Sequence, residues 1–124
     1  MKRWLTVGAI MGAFGVAFAA FGEHALRPRL EPQMLRAFAT GAQYQLVHAL
    51  ALCTVAFAGR GRAVKFADYA GWLFFIGILL FSGSLYVLAL SGIRIVGAIT
   101  PVGGVALIAG WLMLAVAASK WEET

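Results

Sequence analysis

Cysteine occurs once in 124 residues, at Cys53, which excludes a disulfide framework or a thiolate metal cluster built from one chain. Charge is scarce too: Asp, Glu, Lys and Arg make up 12% of the sequence, and only five residues are acidic. A soluble domain carries about twice that charged fraction, so an ordinary aqueous surface is excluded. Histidine occurs twice and no CxxCH sequence is present, which argues against attached haem. Two histidines and one neighbouring acid are a minimal set for a metal, so no cofactor is expected and His24 and His48 are weak metal candidates. No nucleophile stands at readable spacing from a base and an orienting acid, and an enzyme is not expected. The ten basic residues form no stripe interleaved with aromatics, which sets nucleic acid aside as a partner.

Apolar sequence is what the chain has in abundance, at 62% hydrophobic residues and a mean hydropathy of +0.87. Such a composition describes an integral membrane protein whose first partner is the lipid bilayer. A membrane-crossing helix needs about 20 mostly apolar residues. Windows of that kind fall at 4–22, 43–58, 69–91 and 95–118, predicting a single all-α domain over 1–124 that is a four-transmembrane-helix bundle. The second window is short and must borrow residues from ahead of it. Leu35, Phe38, Ala39 and Ala42 recur there at helical steps behind Glu31 and Pro32, predicting a short amphipathic helix over 32–42. It lies along the interface or runs on into the second span with Gly41 as a bend. Lys2 and Arg3, the apolar run and Ala17-Phe18-Ala19 imitate a signal peptide, but the regular glycines suit a retained helix.

Those glycines form a stripe: Gly8, Gly12, Gly15, Ala19 and Gly22 alternate steps of four and three, and Gly103, Ala106, Gly110 and Ala117 repeat the device. Small residues let helix backbones approach closely, and close contact drives association in lipid. The stripes predict a compact bundle and a homo-oligomer or subunit of a larger membrane complex. Lys2, Arg3, Arg60, Arg62, Lys65 and Lys120 fall on one side of a four-span chain, and Arg27, Arg29, Arg36 and Arg94 on the other. The excess favours both termini in the cytoplasm.

The best pointer to a site is the pair His24 and His48, which a hairpin of the first two spans would bring to similar depth. Around them stand Glu23, Gln43, Tyr44 and Gln45, and Ser82, Ser84, Tyr86 and Thr100 join them in the outer halves of the third and fourth spans. Tyr44, Gln45 and His48 share a helical face, as do Ser82 and Tyr86. The set predicts a polar layer in the outer half of the bundle, either a pocket or a plug. Serine and threonine in membrane helices commonly bond their own backbone or a neighbouring helix. His48 either bridges helices or acts by protonation or ligation. Thr100-Pro101 is expected to be a kink.

Four stretches carry a resemblance: Phe18 to Leu26 (FAAFGEHAL), Ala42 to Leu52 (AQYQLVHALAL), Phe81 to Tyr86 (FSGSLY) and Gly97 to Gly104 (GAITPVGG). Together they resemble the bacterial family catalogued as domain of unknown function 423, related to human transmembrane protein 256. The resemblance implies a small inner-membrane protein of four helices with no established activity. Glu23 departs from it, standing where the family pattern implies a small residue. Three functions follow as expectations: chiefly a non-enzymatic accessory or scaffold; as an alternative, a binder of a small molecule, lipid, quinone, haem or metal in the polar layer; and as a further alternative, transport of a small solute or proton.

Overall fold

The computed structural model describes residues 1–123, which form helices joined by short turns and contain no strand among them. Helix α1 (Lys2–Phe21) runs on through one π-helical turn, Gly22–Leu26, before the chain reverses. Helix α2 (Pro32–Ala58) is opened by a proline in its first turn, where a missing backbone donor costs nothing. Helix α3 (Ala63–Ser91) stops at Gly92, whose φ of 71° is the left-handed cap that glycine adopts without strain. A 3-10 turn, Arg94–Ala98, then leads into α4 (Thr100–Ser119).

The separate amphipathic helix expected over 32–42 is the first part of α2, which passes through Gly41 unbroken for 27 residues. Its buried positions explain why: Phe38, Gly41, Ala42, Gln45, His48, Ala49, Leu52 and Val55 recur at steps of three and four, so one inward face runs across the supposed junction. Thr40, Gln43 and Tyr44 lie between those positions, whereas Gln45 and His48 are on the inward face itself. Helix α3 begins at Ala63 rather than at 69, and α4 at Thr100 rather than at 95. Pro101 starts α4 instead of kinking it.

Three helical stretches are long and apolar enough to cross a membrane: Lys2–Leu26, Ala63–Ser91 and Arg94–Ser119. Helix α2 is as long but more polar, and it packs on α1 and α3 and touches α4. A helix face packed on protein can carry polar side chains that neighbours satisfy, whereas α1 and α4 turn broad faces of Ile, Val, Leu and Phe outward. Trp4, Leu52, Val55 and Phe74 anchor the larger core. Leu26, Phe38 and Ala89 form a smaller one at the opposite end.

The glycine stripes lie at contacts inside the chain. A β-carbon on Gly103 would stand 2.7 Å from the Cα of Phe81, so the α3 and α4 backbones touch there. Gly110 meets the Phe74 ring, Gly8 the carbonyl of Ala49, Gly15 the Leu46 side chain and Gly22 the Phe38 ring. Gly12 has ordinary room, since a methyl added there would stand 3.8 Å from the Ala49 Cβ. Faces expected to join copies are therefore occupied by the chain's own helices. Both termini share one end with the 59–62 turn: Gly59 lies against Met1, and the Arg62 backbone N–H donates to Glu122 at 3.1 Å.

Candidate functional site

The register of α1 on α2 fixes where each polar residue sits. Gly22 faces Phe38, Gly15 faces Leu46 and Gly12 faces Ala49, an antiparallel pairing. His48 is thereby level with the residues around Gly12, and His24 lies about 17 Å further along the axis at 1.5 Å per residue. The two histidines do not share a depth, contrary to the expectation. An α2 that starts at Pro32 rather than at 43 carries His48 well down the bundle, while His24 stays exposed on the π-helical turn. Beside it, Glu23 forms an exposed i,i+4 ion pair with Arg27 at 2.7 Å, a contact of little energetic weight.

Gln45 is buried at the centre and joins three helices. Its Nε2 donates to the Met11 carbonyl of α1 at 2.9 Å, and its Oε1 accepts from the Tyr86 hydroxyl of α3 at 2.7 Å. One turn toward the His24 end, the Ser82 hydroxyl donates to the Gly41 carbonyl at 2.7 Å, binding α3 to α2. The Thr100 hydroxyl is hydrogen-bonded to the Ser84 Oγ at 2.6 Å, joining α4 to α3. Ser84 also lies 2.9 Å from the Phe81 carbonyl of its own helix.

His48 makes a fourth joint. The Trp111 indole N–H of α4 donates to its Nε2 at 2.9 Å, and Nδ1 lies 2.7 Å from the Tyr44 carbonyl. An indole nitrogen can only donate, so Nε2 must be the bare nitrogen and Nδ1 must carry the proton. That tautomer satisfies both ring nitrogens, and no lone pair is left for a metal. Phe74 and Trp111 pack around the imidazole with ring centroids 5.7 Å away. Tyr44 contributes its carbonyl and its ring, which packs 4.6 Å from Phe81, while the side chain stands on the exposed face.

The predicted layer is thus a ladder. From Ser84 down to the level of Phe74, which faces His48, the joints descend about 15 Å along α3. All four helices supply rungs: Ser82, Ser84, Tyr86 and Thr100 lie in the half of the bundle that carries the His24 turn, Gln45 lies at the middle of α2, and His48 just beyond it. Among the described residues no buried side-chain polar atom lacks a partner, and no three His, Cys, Asp or Glu side chains cluster. A lateral groove of about 330 Å³ opens beside Tyr44, His48 and Trp111. A larger one of about 370 Å³ lies between α1 and α2, bordered by Glu23, Phe38 and Gln43.

Two participants carry weaker signals in the sequence. Trp111 is the one indole in the fourth apolar window, a donor inside a span that could have been matched to a buried acceptor. Asp68 precedes the third apolar window; because α3 starts early, it sits on that helix and accepts the Trp4 indole N–H at 2.8 Å. Arg3 pairs with the same carboxylate and lies over the Trp4 and Trp72 rings at 5.2 and 5.5 Å. The terminal end of the bundle is therefore fastened by a polar cluster of its own.

The profile of the family described as "Protein of unknown function (DUF423)" matches residues 18–104, a segment containing every rung of the ladder except Trp111 and Met11. The chain belongs to this family. Full-length relatives agree: UPF0382 membrane protein YwdK of Bacillus subtilis is 47% identical over 122 residues, covering 98% of this chain and 99% of the relative. UPF0382 membrane protein SH2409 of Staphylococcus haemolyticus is 40% identical over 98% of both chains. A UPF0382 membrane protein of Haemophilus influenzae is 42% identical over 96% of this chain and 95% of its own. No solved structure matches the chain.

Proposed function

We propose that this DUF423 protein crosses the bacterial inner membrane four times, with both termini in the cytoplasm, and acts as a non-enzymatic accessory protein. In this reading it offers a rigid helical body to a second copy or to a larger membrane complex. The observation that carries it is the His48 joint: the most suggestive side chain in the interior has both ring nitrogens engaged by its own bundle. The other interior polar groups follow the same pattern, each joining helices or bonding its own backbone. With the glycine faces occupied internally, any partner docks on the outward faces of α1 and α4, where Ile10, Phe14, Val105 and Leu112 are exposed. Helix α2 is counted as the fourth span because its neighbours satisfy its inward-facing polar residues, and because the connecting turns then alternate between the two surfaces.

Crosslinking in native membranes, followed by separation in mild detergent, tests the proposal. The expected result is a discrete species larger than the 13.2 kDa chain, weakened by Phe14→Ala or Leu112→Ala and unaffected by Gly12→Ala. A strictly monomeric protein that retains a small molecule through purification would refute it in favour of the binder reading. The groove beside His48 is the observation that favours that second reading.

A further inference from the structure

At the end carrying both termini, α2 and α4 leave a lateral groove of about 320 Å³ between Thr54 and Ala58 on one side and Leu114 and Ala118 on the other, closed by Trp121. Its walls make no polar demand, since the Thr54 hydroxyl already donates to the Leu50 carbonyl of its own helix at 3.0 Å. The groove extends over one helical turn, about 6 Å, which is too short and narrow to seat a helix about 10 Å across. A single hydrocarbon chain fits those dimensions.

The mouth of the groove is cationic. Arg60 is held in the turn after α2 by its backbone N–H to Ala58, at 3.0 Å, and its guanidinium lies 5.8 Å from the Trp121 ring centroid. Lys120 adjoins Trp121 in the chain and is exposed. The nearby acid, Glu122, is turned to Arg62, with its Oε1 3.7 Å from the Arg62 Nε. Six bases against three acids give this end a positive balance: Lys2, Arg3, Arg60, Arg62, Lys65 and Lys120 against Asp68, Glu122 and Glu123. A choline or ethanolamine headgroup would bring a further cation to Arg60 and Lys120, whereas an anionic headgroup would not.

We propose that this groove holds one acyl chain of an anionic phospholipid, with the headgroup phosphate paired to Arg60 and the upper chain lying against Trp121. Basic positions at the cytoplasmic end of membrane helices bind anionic headgroups in this way. The placement at a membrane surface rests on the four-span reading given above.

Native mass spectrometry of the purified, delipidated full chain, titrated with phosphatidylglycerol or with phosphatidylcholine of equal chain length, tests the site. The wild type retains phosphatidylglycerol in preference. Arg60→Gln lowers that preference about fivefold, the effect of one basic residue at an anionic surface. Ala118→Leu fills the groove and reduces retention without changing charge, and Arg29→Gln, at the opposite end, leaves the preference intact. Equal retention of the two lipids overturns the proposal, as does a preference that survives both Arg60→Gln and Ala118→Leu. A protein crosslinked at position 121 that excess phosphatidylglycerol fails to displace overturns it as well. Cysteines placed at 29 and 60 and labelled from each side of sealed vesicles test the four-span reading separately: labelling from one side alone refutes that topology, while the titration still judges the lipid site.

Discussion

Replacing Gly103 by alanine is the sharpest test of how the helices are held. The added methyl would stand 2.7 Å from the Phe81 Cα and 2.8 Å from the Leu80 carbonyl carbon, backbone atoms that no rotamer change can move aside. Carbon atoms pack best at about 3.5–4.0 Å, so α4 must retreat from α3 by about 1 Å. The 2.6 Å contact between Ser84 and Thr100 lies one turn away and would stretch with it. Overpacking of this kind costs about 1–3 kcal/mol, and a lost interhelical hydrogen bond in a membrane protein adds about 0.6 kcal/mol. The expected destabilisation is therefore about 2–3 kcal/mol by those two contributions. Gly12→Ala is the matched control, since the nearest atom to its methyl is 3.8 Å away; its effect should stay within about 0.5 kcal/mol. Unfolding by SDS titration in mixed micelles, followed by helical circular dichroism, measures both. A Gly103→Ala protein as stable as the Gly12→Ala protein would refute the claim that α3 and α4 meet backbone to backbone.

The remaining expectations concern the polar joints. A double-mutant cycle of Gln45→Leu and Tyr86→Phe should show coupling of about 0.6–1.7 kcal/mol in the same titration, and strict additivity would contradict the 2.7 Å bond between them. Asp68→Asn keeps an acceptor for Trp4 and loses only the part-exposed pairing with Arg3, so it should cost less than about 1 kcal/mol. Asp68→Leu should cost more, because the Trp4 indole N–H, on a residue only 2% exposed, is left without its partner. Glu23→Gln, which breaks an exposed pair at the end of the bundle, should leave the midpoint within about 0.5 kcal/mol of wild type.

The apolar windows and the glycine spacing are local signals, and they located α1, α3 and α4 to within a few residues at most ends. Helix α2 is less legible, because Arg36, Gln43, Gln45 and His48 lower its hydropathy although its inward face packs on α1 and α3. Its first third was visible as a helix through Leu35, Phe38 and Ala42, but the sequence held no sign of whether that face would meet water, lipid or another helix. The placement of His48 followed from that choice, and with it the supposed pairing with His24. Gln45, Ser82, Ser84, Tyr86 and Thr100 are legible because polar side chains stand out in an apolar sequence. Their partners are not, because Gly41 and Met11 contribute backbone carbonyls that any residue would supply. Trp111 gives a weak signal for a related reason, since an indole in an apolar run counts first as hydrophobic. The glycine stripes marked close contacts, but spacing alone does not say whether the second helix belongs to the same chain.

If the interior polar groups are joints between helices, His48 is the residue that decides it. Nitrogen-15 NMR of the imidazole in lipid nanodiscs, with and without added Zn²⁺, reads the state of both ring nitrogens. The expected result is a proton on Nδ1, a bare Nε2 accepting from the Trp111 indole, and no response to the metal. An Nε2-protonated ring, or a resonance that shifts when Zn²⁺ is added, would contradict it.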